Sequence, residues 1–145
     1  MERLMATRFN NDTWQQNIRW REKNDYSGCL YNTPVHIKDN IPLEITIYVI
    51  EMNNDKNKIM GIGKLKNYLV IDKKYKVYEE RNYNRYTYKG KRRLSREDIP
   101  DDLLEKLEKR VFTTKRHIKR GHGIQQVTQD MSDEYLKIIS NLFIK

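Results

Sequence analysis

The sequence has little of what secreted and membrane proteins depend on. It contains one cysteine, Cys29, so it cannot form an internal disulfide, and a reducing compartment is the expected environment. No run approaches the roughly 20 apolar residues that a membrane span needs, and the most apolar run, 45–50, already includes Thr46. Residues 1–4 begin no apolar signal region. We therefore expect an intracellular protein, cytoplasmic or nuclear, that does not enter a membrane.

Motifs for catalysis and for metal binding are also missing from the sequence. The candidate metal ligands are Cys29, His36, His117 and His122, and no two of them have the spacing of a Cys-x-x-Cys or His-Glu-x-x-His site. The segment Gly61-Ile62-Gly63-Lys64 lacks the four-residue gap and the Lys-Ser/Thr ending of a Walker loop. Cys29 has no basic partner nearby in sequence that would activate it as a nucleophile. We predict a protein that is not an enzyme and has no metal or other cofactor.

Length and composition indicate one domain, residues 1–145. Hydrophobic residues are 37% of the chain, and ten tyrosines add surface that can be half buried, so one modest core is expected rather than disorder. Ile, Lys, Asn and Tyr together make up 55 of the 145 residues, and their codons are rich in A and T. The composition indicates an AT-rich genome and resembles that of proteins from large DNA viruses.

What the sequence has in excess is positive charge, and two segments carry it. The formal net charge is +9; segment 61–96 has a net charge of +9 and segment 111–122 a net charge of +4. In segment 61–96 the cations alternate with tyrosines, and cations neutralise phosphates while aromatic rings stack on bases. Two interpretations stay open: a nucleic-acid-binding surface, or a solvated strand pair whose tyrosines cover the edge of the core.

The second basic segment contains a short glycine-rich stretch. Residues 116–120 are rich in cations, and Gly121-His122-Gly123 follows them. Glycines allow backbone N–H groups to approach a phosphate closely. The alternative is a connector between two elements in which the glycines serve turn geometry.

Hydrophobic periodicity predicts an α+β fold, with a small curled mixed β-sheet or open barrel and about three flanking helices. Two glycines on one strand face, Gly61 and Gly63, predict a close backbone approach or a bend there. The predicted strands are 5–9, 28–31, 35–37, 45–52, 58–66, 68–71, 75–78 and 82–93, the last with a turn at Gly90. Three helices are predicted. The first begins after the caps at 10–12 and ends near Asn24, the second begins at 98–100, and the third begins near Ser132.

The order of these elements is similar to that of the PUA-like superfamily, and most similar to its YTH and EVE domains. The stretches that carry the resemblance are the strand–helix junction 7–14 (Thr-Arg-Phe-Asn-Asn-Asp-Thr-Trp), the strands 47–51 and 61–65, the step from 86–89 to 96–100, and the stretches 119–120, 125–127 and 135–139. The resemblance implies a module that binds nucleic acid, RNA being favoured over DNA, by taking one base into an aromatic pocket. Some such domains read a modified base.

The resemblance also implies where the pocket lies. Its mouth falls on Arg8, Asn10 and Asn11, and the stacking candidates are Trp14, Trp20 and Tyr31. Of the two tryptophans, Trp14 shares a helix face with Ile18 and is expected in the core, whereas Trp20 is turned away from that face and is expected to stack on a base. The residues predicted to hold the phosphate backbone are Lys89, Lys91, Arg92, Arg93, Lys119 and Arg120.

The chain departs from the YTH pattern at the base-binding cage. Residues 30–33 contain no tryptophan where the pattern has one. Residues 75–83, where a second tryptophan is expected, have tyrosine as their only aromatic residue type. A methyl-adenine cage is therefore not carried over intact. Two other functions stay open: a structural or interaction protein, such as a virion or host-factor-binding component that uses its basic face, and an ASCH-like RNA-processing enzyme.

Overall fold

A computed structural model describes residues 1–144, and it confirms the predicted α+β class. The strands within these residues are β1 (Glu2–Phe9), β2 (Cys29–Thr33), β3 (Thr46–Asn53), β4 (Lys58–Lys66), β5 (Tyr86–Gly90), β6 (Arg92–Ser95) and β7 (Gln125–Gln126). The α-helices are α1 (Asn11–Lys23), α2 (Asp101–Glu108) and α3 (Gln129–Leu142). None of the helices in residues 1–144 is long and apolar enough to cross a bilayer.

The strands form a five-stranded mixed sheet and a separate two-stranded ribbon. The order in the larger sheet is β6-β4-β3-β1-β7; β1 and β3 run parallel at its centre, and the other neighbours are antiparallel. The ribbon pairs β2 with β5. The sheet is not closed into a barrel, so of the two forms predicted, a curled sheet or an open barrel, the curled sheet is the one adopted.

Both faces of the larger sheet are covered, as predicted for the strand 45–52. Successive side chains of a strand point to opposite faces. Leu4 and Ala6 of β1 pack in a cluster with α2 and α3, whereas Met5 packs with Val49 in a second cluster that includes α1 and the β2–β5 ribbon. The fold therefore has helices on one side of the sheet, and one helix and the ribbon on the other.

Helix α1 begins where the sequence predicts it. The Asn10 side chain accepts a hydrogen bond from the Thr13 backbone N–H at 2.7 Å, and the Thr13 hydroxyl accepts one from the Asn10 N–H at 3.0 Å. This capping box satisfies donors that a helix start leaves free. Because the cap follows β1 directly, it holds the end of that strand, with Arg8, against the start of the helix.

Three predicted strands are wrong. The segments 35–37, 68–71 and 75–78 are irregular. In segment 75–78, the backbone N–H groups of Val77 and Tyr78 donate to the Asn84 side-chain oxygen, at 3.3 and 3.0 Å. The Asn32 amide donates to the Tyr75 carbonyl of the same segment at 2.6 Å. Side-chain amides thus replace a strand partner.

The predicted strand 82–93 is divided into three elements. Arg81–Asn84 form a 3₁₀ turn, β5 follows in the ribbon, and β6 belongs to the larger sheet. The close approach predicted at the paired glycines is confirmed, because a Cβ on Gly63 would lie 2.2 Å from the Tyr31 hydroxyl oxygen.

Candidate nucleic-acid interface

A cleft opens where β1 ends and α1 begins. Its volume is about 260 Å³, just below the range of roughly 300–1,000 Å³ typical of small-molecule sites, which suits one small planar group. Five parts of the chain line it: the β1–α1 junction, β2 with Pro34, Asn54 in the turn after β3, the segment around Tyr78 and Tyr83, and the glycine-rich stretch 119–123. Tertiary folding therefore brings together two stretches that the sequence analysis singled out separately, 7–14 and 116–123.

The side chains of Arg8 and Asn54 hold the start of the stretch 118–123 beside the end of β1. The Arg8 Nε–H donates to the Ile118 carbonyl at 2.9 Å, and the Asn54 amide donates to the Lys119 carbonyl at 2.7 Å. Burial lowers the pKa of the Arg8 guanidinium to about 10, because the charged form loses water. The Asn54 side-chain oxygen is buried and has no hydrogen-bond partner within residues 1–144.

Tyr78 and Tyr83 supply the aromatic part of the cleft. Their ring centroids lie 6.3 Å apart with an interplanar angle of 86°, and Tyr83 is exposed whereas Tyr78 is buried. Asn84 fixes this segment, since it accepts from the Tyr78 N–H and from the Asn32 amide of β2, the latter at 2.9 Å. Both tyrosines belong to the basic-aromatic segment, and both lie within residues 75–83, where the YTH pattern has its second tryptophan. Their shared position depends on an asparagine contact that spans 52 residues.

The charge lining the cleft has one sign. Arg8 and Lys119 line it, and no aspartate or glutamate does so among its lining residues in 1–144. Gly121 and Gly123 have φ angles of 135° and 70°, which L-residues with a side chain rarely adopt. The arrangement can receive an anionic or electron-rich planar ligand and disfavours a cation.

The remaining residues predicted for the pocket lie in different places. Asn10 lines the cleft, but Asn11 is exposed outside it, and its backbone N–H donates to Asp55 at 2.8 Å. Trp14 is in the core, as predicted, with its ring 5.1 Å from that of Phe9. Trp20 is half buried on another surface, and its stacking role stays a prediction.

Tyr31 lines the cleft but is almost wholly buried, and its hydroxyl donates to Glu51 at 2.6 Å. Burial, together with the nearby negative charge of Glu51, raises the pKa of Tyr31 well above its usual value. A ring so enclosed does not present a face on which a base can stack. The stacking role predicted for Tyr31 is therefore not compatible with its position.

The phosphate contact predicted for Arg93 is wrong, because Arg93 forms a buried ion pair with Glu51. The Arg93 guanidinium binds both carboxylate oxygens of Glu51, with Nε–O distances of 3.1 and 2.9 Å, and the two side chains are 8% and 2% exposed. Burial favours the neutral guanidine, but the Glu51 carboxylate outweighs it and raises the pKa of Arg93 above its usual value. Arg93 belongs to the core beneath Trp14, and its charge is already neutralised.

The other predicted phosphate ligands do not form one surface. In the ribbon, Thr33 pairs with Tyr86 at the cleft end and Cys29 pairs with Gly90 at the other end, roughly 13 Å away at about 3.3 Å per residue. Lys119 lies at the cleft, and Arg120 is exposed beside it. The ribbon's far end carries the predicted set Lys89, Lys91 and Arg92.

That far set borders an apolar groove with a volume of about 650 Å³. Leu65, Leu69 and Ile71 line the groove, and Ile71 is 87% exposed. The cations that line it are Lys64, Lys66, Lys89, Lys91 and Arg92, against one acid, Asp72. We name this surface the apolar groove.

No group of three or more His, Cys, Asp or Glu side chains that could hold a metal occurs within residues 1–144. The chain matches no family model, and no curated protein and no solved structure matches it. The similarity to PUA-like, YTH and EVE domains therefore rests on the quoted sequence stretches and stays a prediction.

Proposed function

We propose that the protein is a nucleic-acid-binding module that takes one base into the cleft at the end of β1. The observation that carries this proposal is the convergence, in one cleft of about 260 Å³, of two tyrosines with the basic stretch 119–123 and Arg8. Cations near aromatic rings are the combination that single-stranded nucleic acid requires.

Within the cleft, Tyr83 is the residue we propose to stack on the base, because its ring is exposed. Asn54 also lines the cleft, and its amide holds Lys119 there through the Lys119 carbonyl. RNA is the first ligand to test, and modified bases belong in the same panel because a cleft of about 260 Å³ leaves little room for an added group.

The test is fluorescence anisotropy with labelled RNA and DNA oligonucleotides, with and without base modifications, at several salt concentrations. If about four phosphates are neutralised, affinity falls by one to two decades between about 50 and 200 mM salt. Tyr83→Ala is expected to weaken binding by about tenfold or more, since a stacked base contributes about 1–3 kcal/mol. Tyr68→Ala is the matched control, because Tyr68 is also exposed but lies at the apolar groove. Equal effects of the two changes would contradict the proposal.

A second candidate function is supported by the apolar groove. Exposed apolar residues bordered by cations suit an acidic protein segment with apolar anchors, by charge complementarity and by burial of Ile71 and Leu69. Under this alternative the protein is an interaction component, and the cations at the groove contact carboxylates rather than phosphates.

One pair of measurements separates the two uses of the groove. If Lys91 and Arg92 hold nucleic acid, the double change to Glu lowers oligonucleotide affinity. If the groove binds protein, oligonucleotide affinity stays the same, and peptides selected from a random library are rich in acidic and apolar residues. Those peptides then lose binding to Ile71→Ser, which removes an exposed side chain and so leaves the core intact.

A further inference from the structure

The cleft holds an arginine whose charge no acidic group neutralises. Arg8 is partly buried, and no carboxylate lies within ion-pair distance of it among residues 1–144. Arg93, by contrast, has Glu51 as its partner. An uncompensated charge in a partly buried place raises the free energy of the folded state, and a bound anion removes that cost.

The Arg8 guanidinium is held in place yet keeps donors for a ligand. A guanidinium has five N–H donors. The Nε–H donates to Ile118 at 2.9 Å and one Nη1–H to the Ala6 carbonyl at 3.3 Å. These bonds fix its orientation before any ligand arrives, and its remaining N–H groups have no partner within residues 1–144. Such preorganisation lowers the entropy lost on binding.

The surroundings reinforce the same preference. Lys119 and His122 line the cleft with Arg8, and glycines at 121 and 123 allow close approach of the backbone. Because every charged group that lines it has the same sign, the cleft favours the ligand with the greatest negative charge.

We propose that the cleft binds the phosphate monoester of a nucleotide, with Arg8 and Lys119 as its main contacts. This inference rests on the proposed function and adds that the nucleotide whose base enters the cleft lies at a phosphorylated strand end. A monoester carries a charge of about −1.5 to −2 near pH 7, about twice that of an internal phosphodiester. A free mononucleotide has the same chemistry, so the experiment must separate the two sources.

The experiment compares otherwise identical single-stranded oligonucleotides that carry a 5′-phosphate, a 3′-phosphate or hydroxyls at both ends, together with a nucleoside monophosphate and inorganic phosphate. Titration is by anisotropy for the strands and by calorimetry for the small molecules. We expect one phosphorylated end to raise affinity by about tenfold over the hydroxyl strand, the effect of one added charge-assisted contact.

Variants assign the effect to the cleft. Lys119→Gln is expected to abolish the difference between phosphorylated and hydroxyl strands, and Arg8→Lys to reduce it, because lysine keeps the charge but loses the planar fork. Lys115→Gln is the matched control: it removes the same charge from an exposed position outside the cleft, and it should keep the difference. Melting curves of each variant verify that the fold is retained.

The outcomes separate this inference from the proposed function. Equal binding of phosphorylated and hydroxyl strands overturns the phosphate inference and leaves the nucleic-acid module standing. Binding of the mononucleotide or of inorganic phosphate, sensitive to Lys119→Gln, without binding of any strand overturns the module and supports a free nucleotide as the source. If Lys115→Gln abolishes the phosphate effect as fully as Lys119→Gln, the assignment of that effect to the cleft is also refuted.

Discussion

Replacing Glu51 with glutamine tests how the core tolerates a buried charge. The Glu51 carboxylate accepts hydrogen bonds from Nε and Nη2 of Arg93, and it accepts another from the Tyr31 hydroxyl at 2.6 Å. Glutamine has nearly the same shape but carries no charge. The substitution therefore leaves the Arg93 guanidinium, 8% exposed, without a counter-charge while changing little of the packing.

The expected loss is large for a chain of this size. Breaking a buried ion pair by removing one partner costs about 3–5 kcal/mol, because the other charge stays desolvated. The total free energy of unfolding of a domain is about 5–15 kcal/mol. At roughly 2–4 °C per kcal/mol for a domain near this length, the melting temperature should fall by about 6–20 °C.

The assay is thermal and urea unfolding followed by circular dichroism. Arg116→Gln is the control, since Arg116 pairs with Asp130 at 3.6 Å on the surface, with 76% and 59% of the side chains exposed; it should cost less than about 1 kcal/mol. The double variant Glu51→Met with Arg93→Met should be more stable than Glu51→Gln, because neither charge is then left alone. A loss under about 1 kcal/mol in Glu51→Gln, or a double variant less stable than it, would refute the reasoning.

Three further results are expected. Trp14→Ala should destabilise the fold by about 3–5 kcal/mol as a lost core aromatic, whereas half-buried Trp20 should cost clearly less on the same change, as urea unfolding would reveal. Cys29 should resist a thiol reagent until the protein unfolds, since it is buried and desolvation raises the pKa of its thiol to about 12; rapid labelling of the native protein would contradict this. The free energy of unfolding should fall between about pH 9 and 12, because the folded-state pKa values of Cys29 and Tyr26 are both raised to about 12 and the unfolded chain ionises first; a melting temperature that stays flat from about pH 9 to pH 11 would argue against it.

Local signals in the sequence were enough for several elements. The cap at Asn10 and the spacing of Trp14 and Ile18 determined helix α1, and both contacts act within one or two turns. The strand 58–66 was determined to the residue, because its alternation and the preceding polar turn are local as well. The buried position of Trp14 followed from the same helical face.

The role of each charged side chain was decided only by the tertiary structure. In sequence Arg93 is one of three consecutive basic residues, yet its partner Glu51 lies 42 positions away on another strand of the same sheet. Likewise, Arg8 donates a hydrogen bond to the Ile118 carbonyl, 110 positions away. Whether a cation faces water, a carboxylate or a cleft depends on which distant segment packs against it, and composition and periodicity carry no information about that packing.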